Sequence, residues 1–180
     1  MTQNQTKAAP ILSYTEITSP IGPLVLVAST QGLCSIAFGT FAQTQHKLRL
    51  WALRWYGEHE LQEQAKQLET ISLQLEQYFK KERLRFEGEM DLQGTEFQKR
   101  VWTALLSVPY GETVSYKHIA EAIGSPKAVR AVGGANNKNP IPVIIPCHRI
   151  IGANGDMVGY GGGLDIKERL LDLERLTLGT

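Results

Sequence analysis

Apolar and polar residues alternate from residue 11 to residue 38, and the alternation breaks at Ser19-Pro20-Ile21-Gly22-Pro23 and again at Gln31-Gly32. A two-residue period punctuated by Pro and Gly predicts a three-stranded antiparallel meander, with Cys34 on its third strand. Residues 41 to 56 carry Leu48, Trp51, Leu53 and Trp55, which predicts a helix with an apolar packing face. Leu61, Ala65, Leu68, Ile71, Leu75 and Phe79 then recur at three- and four-residue steps. That spacing predicts one amphipathic helix over residues 60 to 81, laid on the sheet and ending in the charged run Lys80-Lys81-Glu82-Arg83. Leu84 to Phe86 has the composition of a further short strand, and Glu87 to Gln93 reads as a linker.

The second half is helical and punctuated. Thr95 is placed to cap a helix that holds Phe97, Val101, Trp102, Leu105 and Leu106 on one side and stops at Pro109-Tyr110-Gly111. Ser115 caps a short helix through Ile123, and Gly124-Ser125-Pro126 turns the chain into another helix beginning near Lys127. Two short helices around a tight turn outline a helix-turn-helix unit. The second of them, from Pro126 to Asn137, has almost no bulk apart from Arg130. A bare Ala/Gly face suits either a close helix contact or a minor groove ~6 Å wide. Ile141 to Ile145 then reads as a short buried strand, which Pro146 terminates just before Cys147.

Composition narrows the class. The chain has 180 residues, with 19 Lys plus Arg against 18 Asp plus Glu, so it is no polycation. From Ser125 to Arg149 there is nevertheless no acidic residue, while Lys127, Arg130, Lys138 and Arg149 are cationic, which marks a stretch for phosphate contact. Two cysteines, Cys34 and Cys147, make no disulfide framework and point to a reducing compartment. Met1 to Pro10 has no apolar core of signal-peptide length and no segment approaches the ~20 apolar residues of a membrane span. A soluble, cytoplasmic protein with no membrane partner is expected. The histidines are His46, His59, His118 and His148, with no Cys or His pair at the spacing of a zinc site, so no metal is expected.

The candidate chemistry lies in Pro146-Cys147-His148-Arg149-Ile150, a thiol beside an imidazole and a guanidinium in an apolar run. A thiol reacts as its thiolate, and a neighbouring cation or base would lower its pKa from ~8.5 toward neutrality. Adjacent side chains on an extended segment point to opposite faces, so His148 reaches the Cys147 sulfur only through a tight bend or a water.

These five residues resemble the alkyl-acceptor motif of the O6-alkylguanine-DNA alkyltransferases. The likeness runs from about residue 94 to residue 174, through Gly94-Thr95-Glu96-Phe97-Gln98, Val101-Trp102, Pro109-Tyr110-Gly111, Ser115-Tyr116, Arg130-Ala131-Val132-Gly133, Ala135-Asn136, Asn139-Pro140, Gly159-Tyr160 and the Lys167-Glu168 to Glu174 tail, in matching order. It implies an α/β fold: a ribonuclease-H-like antiparallel sheet with helices over residues 11 to 88, after a flexible start at residues 1 to 10, and a winged-helix-like DNA-binding domain over residues 94 to 180. It implies stoichiometric, single-turnover transfer of an alkyl group from O6-alkylguanine, and from O4-alkylthymine, in DNA to Cys147. His148 would be the water-linked base, Glu174 its hydrogen-bond partner, Asn139 the hinge residue and Tyr116 a contact to the flipped guanine. Arg130 would fill the vacated stack, with Ser115, Lys127, Ala128, Ala131, Gly133 and Asn136 also at the DNA. Pro142, Ile150, Met157, Val158, Gly159, Tyr160 and Gly161 would line the base pocket, with an amide at Gly161 facing the leaving oxygen. No cofactor is implied, and a monomer binding double-stranded DNA through its minor groove is expected. The rivals are a lesion-sensing module that does not repair, whose known examples lack the acceptor cysteine, and a cysteine hydrolase, which would turn over repeatedly.

Overall fold

The computed structural model describes residues 9 to 178. The flexible start expected at residues 1 to 10 lies outside the described residues for its first eight positions. β1 (Ile11–Ile17), β2 (Leu24–Ser29) and β3 (Gly32–Phe38) form the expected antiparallel meander, with Thr15 opposite Leu26 and Val25 opposite Ala37. β2 is buried on both faces, which its unbroken apolar run requires. One face packs Leu12, Val25, Val27 and Cys34 against Leu48 and Ala52 of α1 (Phe41–Tyr56). Thr40 starts that helix with a reciprocal capping box to Gln43. The opposite face, with Leu24, Leu26, Leu33 and Ile36, joins one core with Leu75, Tyr78, Val101, Trp102 and Leu105.

The single helix expected over residues 60 to 81 does not form. Glu60–Glu63 is instead β4, paired in parallel with β1 so that Leu61 lies opposite Leu12, and gives the sheet the order β3-β2-β1-β4. A 3-10 turn at Ala65–Leu68 leads into α2 (Glu69–Phe79). The outer edge of β1 carries backbone groups that need partners, and pairing them outweighs a helical period carried by two residues, Leu61 and Ala65. The strand expected at Leu84 to Phe86 is also absent. The chain reaches the other sheet edge later: Leu33 N donates to Glu89 O at 3.0 Å and Asp91 N to Leu33 O at 2.9 Å. The Gln74 amide fastens this return, accepting from Glu87 N at 2.8 Å and donating to Glu87 O at 2.9 Å. The stretch read as a linker is thus bound to β3.

In the second half α3 (Glu96–Leu106) begins at Thr95 with a capping box to Gln98, as its sequence predicts. β5 (Val114–Ser115) precedes α4 (Tyr116–Ala122), and α5 (Val129–Asn137) starts slightly later than expected. β6 (Ile150–Ile151) pairs in parallel with β5, and α6 (Leu164–Leu178) closes the chain. The buried Trp102 ties α3 to α5 by donating from Nε1 to Ala135 O at 2.9 Å. β3 reaches into this half, where Ile36 N donates to Pro140 O at 2.8 Å. Among the described residues no helix is long and apolar enough to cross a membrane.

Gly32 tests the docking of residues 87 to 91 on β3. Its φ is +143°, and a Cβ there would stand 2.3 Å from Glu89 O. Gly32→Ala is expected to destabilise the fold by more than about 1 kcal/mol, read as a lowered urea midpoint.

Candidate acceptor site

The segment from Ile141 to Pro146 is fully buried but is no strand. Prolines 140, 142 and 146 remove amide donors, so no regular ladder can form. Asn139 organises the segment instead: its Oδ1 accepts from Ile141 N at 2.9 Å and its Nδ2 donates to Ile145 O at 2.8 Å. Ile145 N turns back to Ile141 O at 2.9 Å, and Val143 adopts φ +75°, an unusual strain for a β-branched residue. The strained loop delivers Cys147 at the head of a 3-10 turn, Cys147–Arg149. The chain does bend here, but the bend does not bring His148 onto the Cys147 sulfur. It separates Cys147, His148 and Arg149 in direction while keeping all three buried.

Glu174 of α6 is the hub. Its carboxylate is fully buried and gathers five donors from three parts of the chain. His148 Nε2 donates to Oε1 at 2.8 Å, Arg149 donates from Nε to Oε2 and from Nη2 to Oε1 at 2.9 Å each, Tyr78 Oη donates to Oε1 at 2.7 Å and Gly111 N to Oε2 at 3.0 Å. The sequence pointed to His148 but not to Arg149, Tyr78 or Gly111. Arg149, expected as part of a phosphate-binding stretch, is spent on this carboxylate and on Val108 O, with its guanidinium 5.6 Å from the Tyr110 ring. The signal available was charge parity: one buried carboxylate with only a neutral imidazole would leave a net charge unpaired.

Titration follows from burial. Desolvation opposes ionisation of Glu174, but the hydrogen bonds from His148 and Arg149 and the positive charge of Arg149 hold its carboxyl well below the usual carboxylate range. Burial lowers His148, against the pull of Glu174, with Arg149 and Lys167 adding to the fall. His148 is therefore a neutral imidazole whose proton sits on Nε2, facing the carboxylate. Its Nδ1 is buried without a partner, a lone pair free to take a proton. The expectation of a Cys147 pKa near neutrality is overturned. Cys147 is 3% exposed, and burial pushes its thiol up to about 11 despite Asn139, its own amide, Lys167 and Tyr160 favouring the thiolate. Neither His148 nitrogen bonds the sulfur.

The pocket residues are unevenly placed. Pro142 and Ile150 are buried around the thiol's turn, and Tyr160 is buried with a hydroxyl that bears on the sulfur yet makes no hydrogen bond of ordinary geometry. Gly159 and Gly161 face Asn137, where added Cβ atoms would meet Asn137 Oδ1 at 3.7 Å and its O at 4.0 Å. Met157 is half-buried and Val158 is 38% exposed. Lys167, which carried no expected role, is a fully buried ammonium donating to Ile150 O and to Val158 O at 2.9 Å. It joins the turn after the cysteine to the glycine loop.

On the helix-turn-helix side, Lys127, Arg130 and Ala131 are exposed and Ala128 is half-exposed. Ser115 Oγ caps α4 by accepting from His118 N at 3.2 Å, and Gly133 lies beside Tyr116, 3.7 Å from a Cβ built on it to the ring. Burial raises the Tyr116 phenol. Asn136 is corrected: at 2% exposure it turns into the protein and presents nothing to DNA, because the α5 face that holds it also holds Val132 and Ala135.

A buried cysteine, followed by an imidazole bonded to a buried carboxylate and preceded by a helix-turn-helix, is the arrangement expected of a cysteine-acceptor protein that handles DNA. Residues 12–92 match the family model described as 6-O-methylguanine DNA methyltransferase, ribonuclease-like domain, and residues 96–176 match that of its DNA binding domain. The chain belongs to the 6-O-methylguanine DNA methyltransferase family. The methylated-DNA–protein-cysteine methyltransferase of Methanosarcina acetivorans is 48% identical over 161 residues, 89% of this chain and 97% of that protein. That of Mycobacterium leprae is 50% identical over 157 residues, 87% and 88% of the two chains. Among solved structures, the O6-methylguanine methyltransferase of Mycobacterium tuberculosis superposes with TM-score 0.78 at 43% identity, over 94% of this chain and 99% of that one. The Mycobacterium tuberculosis protein solved in complex with DNA gives 0.74 at 41%, with the same coverage.

Glu174→Gln is expected to destabilise the fold by ~3–5 kcal/mol, because it strands the buried Arg149. Acid should act on the same cluster. His148 is lowered relative to the unfolded chain, so the unfolded state binds more protons and stability falls as pH drops below ~6.5. Glu174, also lowered, adds a second decline below ~4.3. Denaturation series at pH 7, 5 and 4 check both, and His148→Gln should remove the first decline only.

Proposed function

We propose that this chain repairs DNA by direct reversal, taking the alkyl group of O6-alkylguanine, and of O4-alkylthymine, onto Cys147 once per molecule. The observation that carries the reading is the buried Cys147, His148 and Glu174 arrangement, in which His148 keeps an unpartnered Nδ1 lone pair and the thiol of the preceding residue is too weakly acidic to ionise alone. The family membership supports it. Displacement occurs at a saturated carbon: the bond from Sγ to the alkyl carbon forms as the carbon–O6 bond breaks, and the electron pair goes to the guanine oxygen. The thiol proton passes through a water to His148 Nδ1 and then to the ring nitrogen of the departing guanine. The imidazolium formed in passing is stabilised by Glu174. The amide of Gly161 and the hydroxyl of Tyr116 stand as donors to the base. A thioether results, and the chemistry named here does not cleave it.

The exposed Lys127 and Arg130 support a docking of α5 in the minor groove, with Arg130 entering the stack as the target base leaves it. The protein acts as a monomer in a cytoplasmic or equivalent reducing compartment, which keeps Cys147 a thiol.

Mass analysis of the native protein after O6-methylguanine duplex should find one methyl on the Cys147 peptide. Cys147→Ala should abolish transfer with duplex affinity retained, since phosphate contacts supply most of it; methyl on Cys34 would refute the assignment. Arg130→Ala should slow repair in duplex DNA far more than dealkylation of free O6-benzylguanine, because only the duplex requires extrusion. The pH profile separates proton relay from spontaneous ionisation. With His148 neutral and its pKa lowered, the transfer rate should hold level from pH 8 down to ~6.5; a tenfold rise per pH unit toward 11 would discard the relay.

A further inference from the structure

One contact joins the N-terminal sheet to the loop that walls the acceptor cysteine. Phe38 closes β3, and its ring occupies the place a side chain on Gly162 would take: a Cβ built there lies 2.8 Å from Phe38 Cε2 and 2.9 Å from Cδ2. The same ring meets that of Tyr160 at 5.8 Å between centroids, tilted by 57°. Tyr160 is itself buried against the Cys147 sulfur. Two residues earlier on the same strand, Ile36 N holds Pro140 O, at the root of the strained loop that delivers Cys147. β3 therefore touches both walls of the thiol's enclosure, one by a backbone hydrogen bond and one by an aromatic ring.

The glycine loop, residues 159 to 163, has no helix or strand of its own. Its position depends on what it packs against: Phe38 on one side, and on the other Asn137 at the end of α5. We propose that Phe38 is a positioning residue of the acceptor site, its ring on Gly162 and Tyr160 fixing the glycine loop so that the alkylated base is held in line with the Cys147 sulfur. The proposal rests on the alkyl-transfer function above. It gives the N-terminal sheet a part in the chemistry as well as in stability, through a residue that touches neither DNA nor the reacting atoms.

The test compares single-turnover methyl transfer from O6-methylguanine duplex, affinity for undamaged duplex and the unfolding midpoint in four proteins. Phe38→Ala should slow transfer roughly ten- to a hundred-fold, as expected for a displaced base, with affinity for undamaged duplex unchanged. Phe38→Tyr, which keeps the ring, should transfer close to the native rate. Val25→Ala, in the separate cluster under α1, should lower the midpoint without changing the rate. If Phe38→Ala does not fold, Phe38→Leu is measured in its place with the same expectation. A native rate in the shortened variant, or an equal loss in Val25→Ala, overturns the proposal. Absence of transfer by the native protein would reject the functional reading itself, which the first measurement decides.

Discussion

The buried Glu174 carboxylate is the constraint on which the rest of the structure depends. A charge removed from water is tolerated only when its lone pairs are filled. The fold fills them with donors from α2, the Pro109-Tyr110-Gly111 turn and the turn after the acceptor cysteine. Three segments distant in the chain therefore meet on α6. Satisfying that one group also sets the tautomer of His148 and leaves its second nitrogen open. The same carboxylate that ties the segments together thus also orients the imidazole.

Burial also explains how a nucleophile can be kept from idle reaction. Cys34 and Cys147 are both buried thiols, the first pushed up to about 12 and the second to about 11. Their difference is not acidity at rest but what stands beside them. Cys34 Sγ donates to Val27 O at 3.3 Å within the sheet, whereas Cys147 is followed by an imidazole with an unused lone pair. A thiol held protonated by burial is a weak nucleophile until a base takes its proton. The raised pKa thus lowers the general reactivity of Cys147.

Much of the architecture was legible because it rests on local chemistry. The meander follows from period-two alternation and its Pro/Gly breaks. The starts of α3 and α4 follow from Thr95 and Ser115. Where local period and tertiary pairing competed, pairing won: Glu60–Glu63 left a helical pattern to complete the edge of β1, and the expected strand at Ile141 to Ile145 became a turn governed by Asn139 and three prolines. Likewise the small residues of α5 spoke for a close approach without saying to what, and burial settled that Asn136 turns inward.

The amino-acid sequence by itself determined the candidate acceptor cysteine, its imidazole neighbour and the helix-turn-helix that precedes them, because motif spacing and capping are properties of short stretches of chain, while the pairing of His148 with Glu174 came from the family resemblance. Only the tertiary structure decided the ionisation of the site, the employment of Arg149, Tyr78 and Lys167, and the reach of Phe38 into the glycine loop. Those depend on desolvation and on contacts between residues far apart in the chain, which folding alone creates.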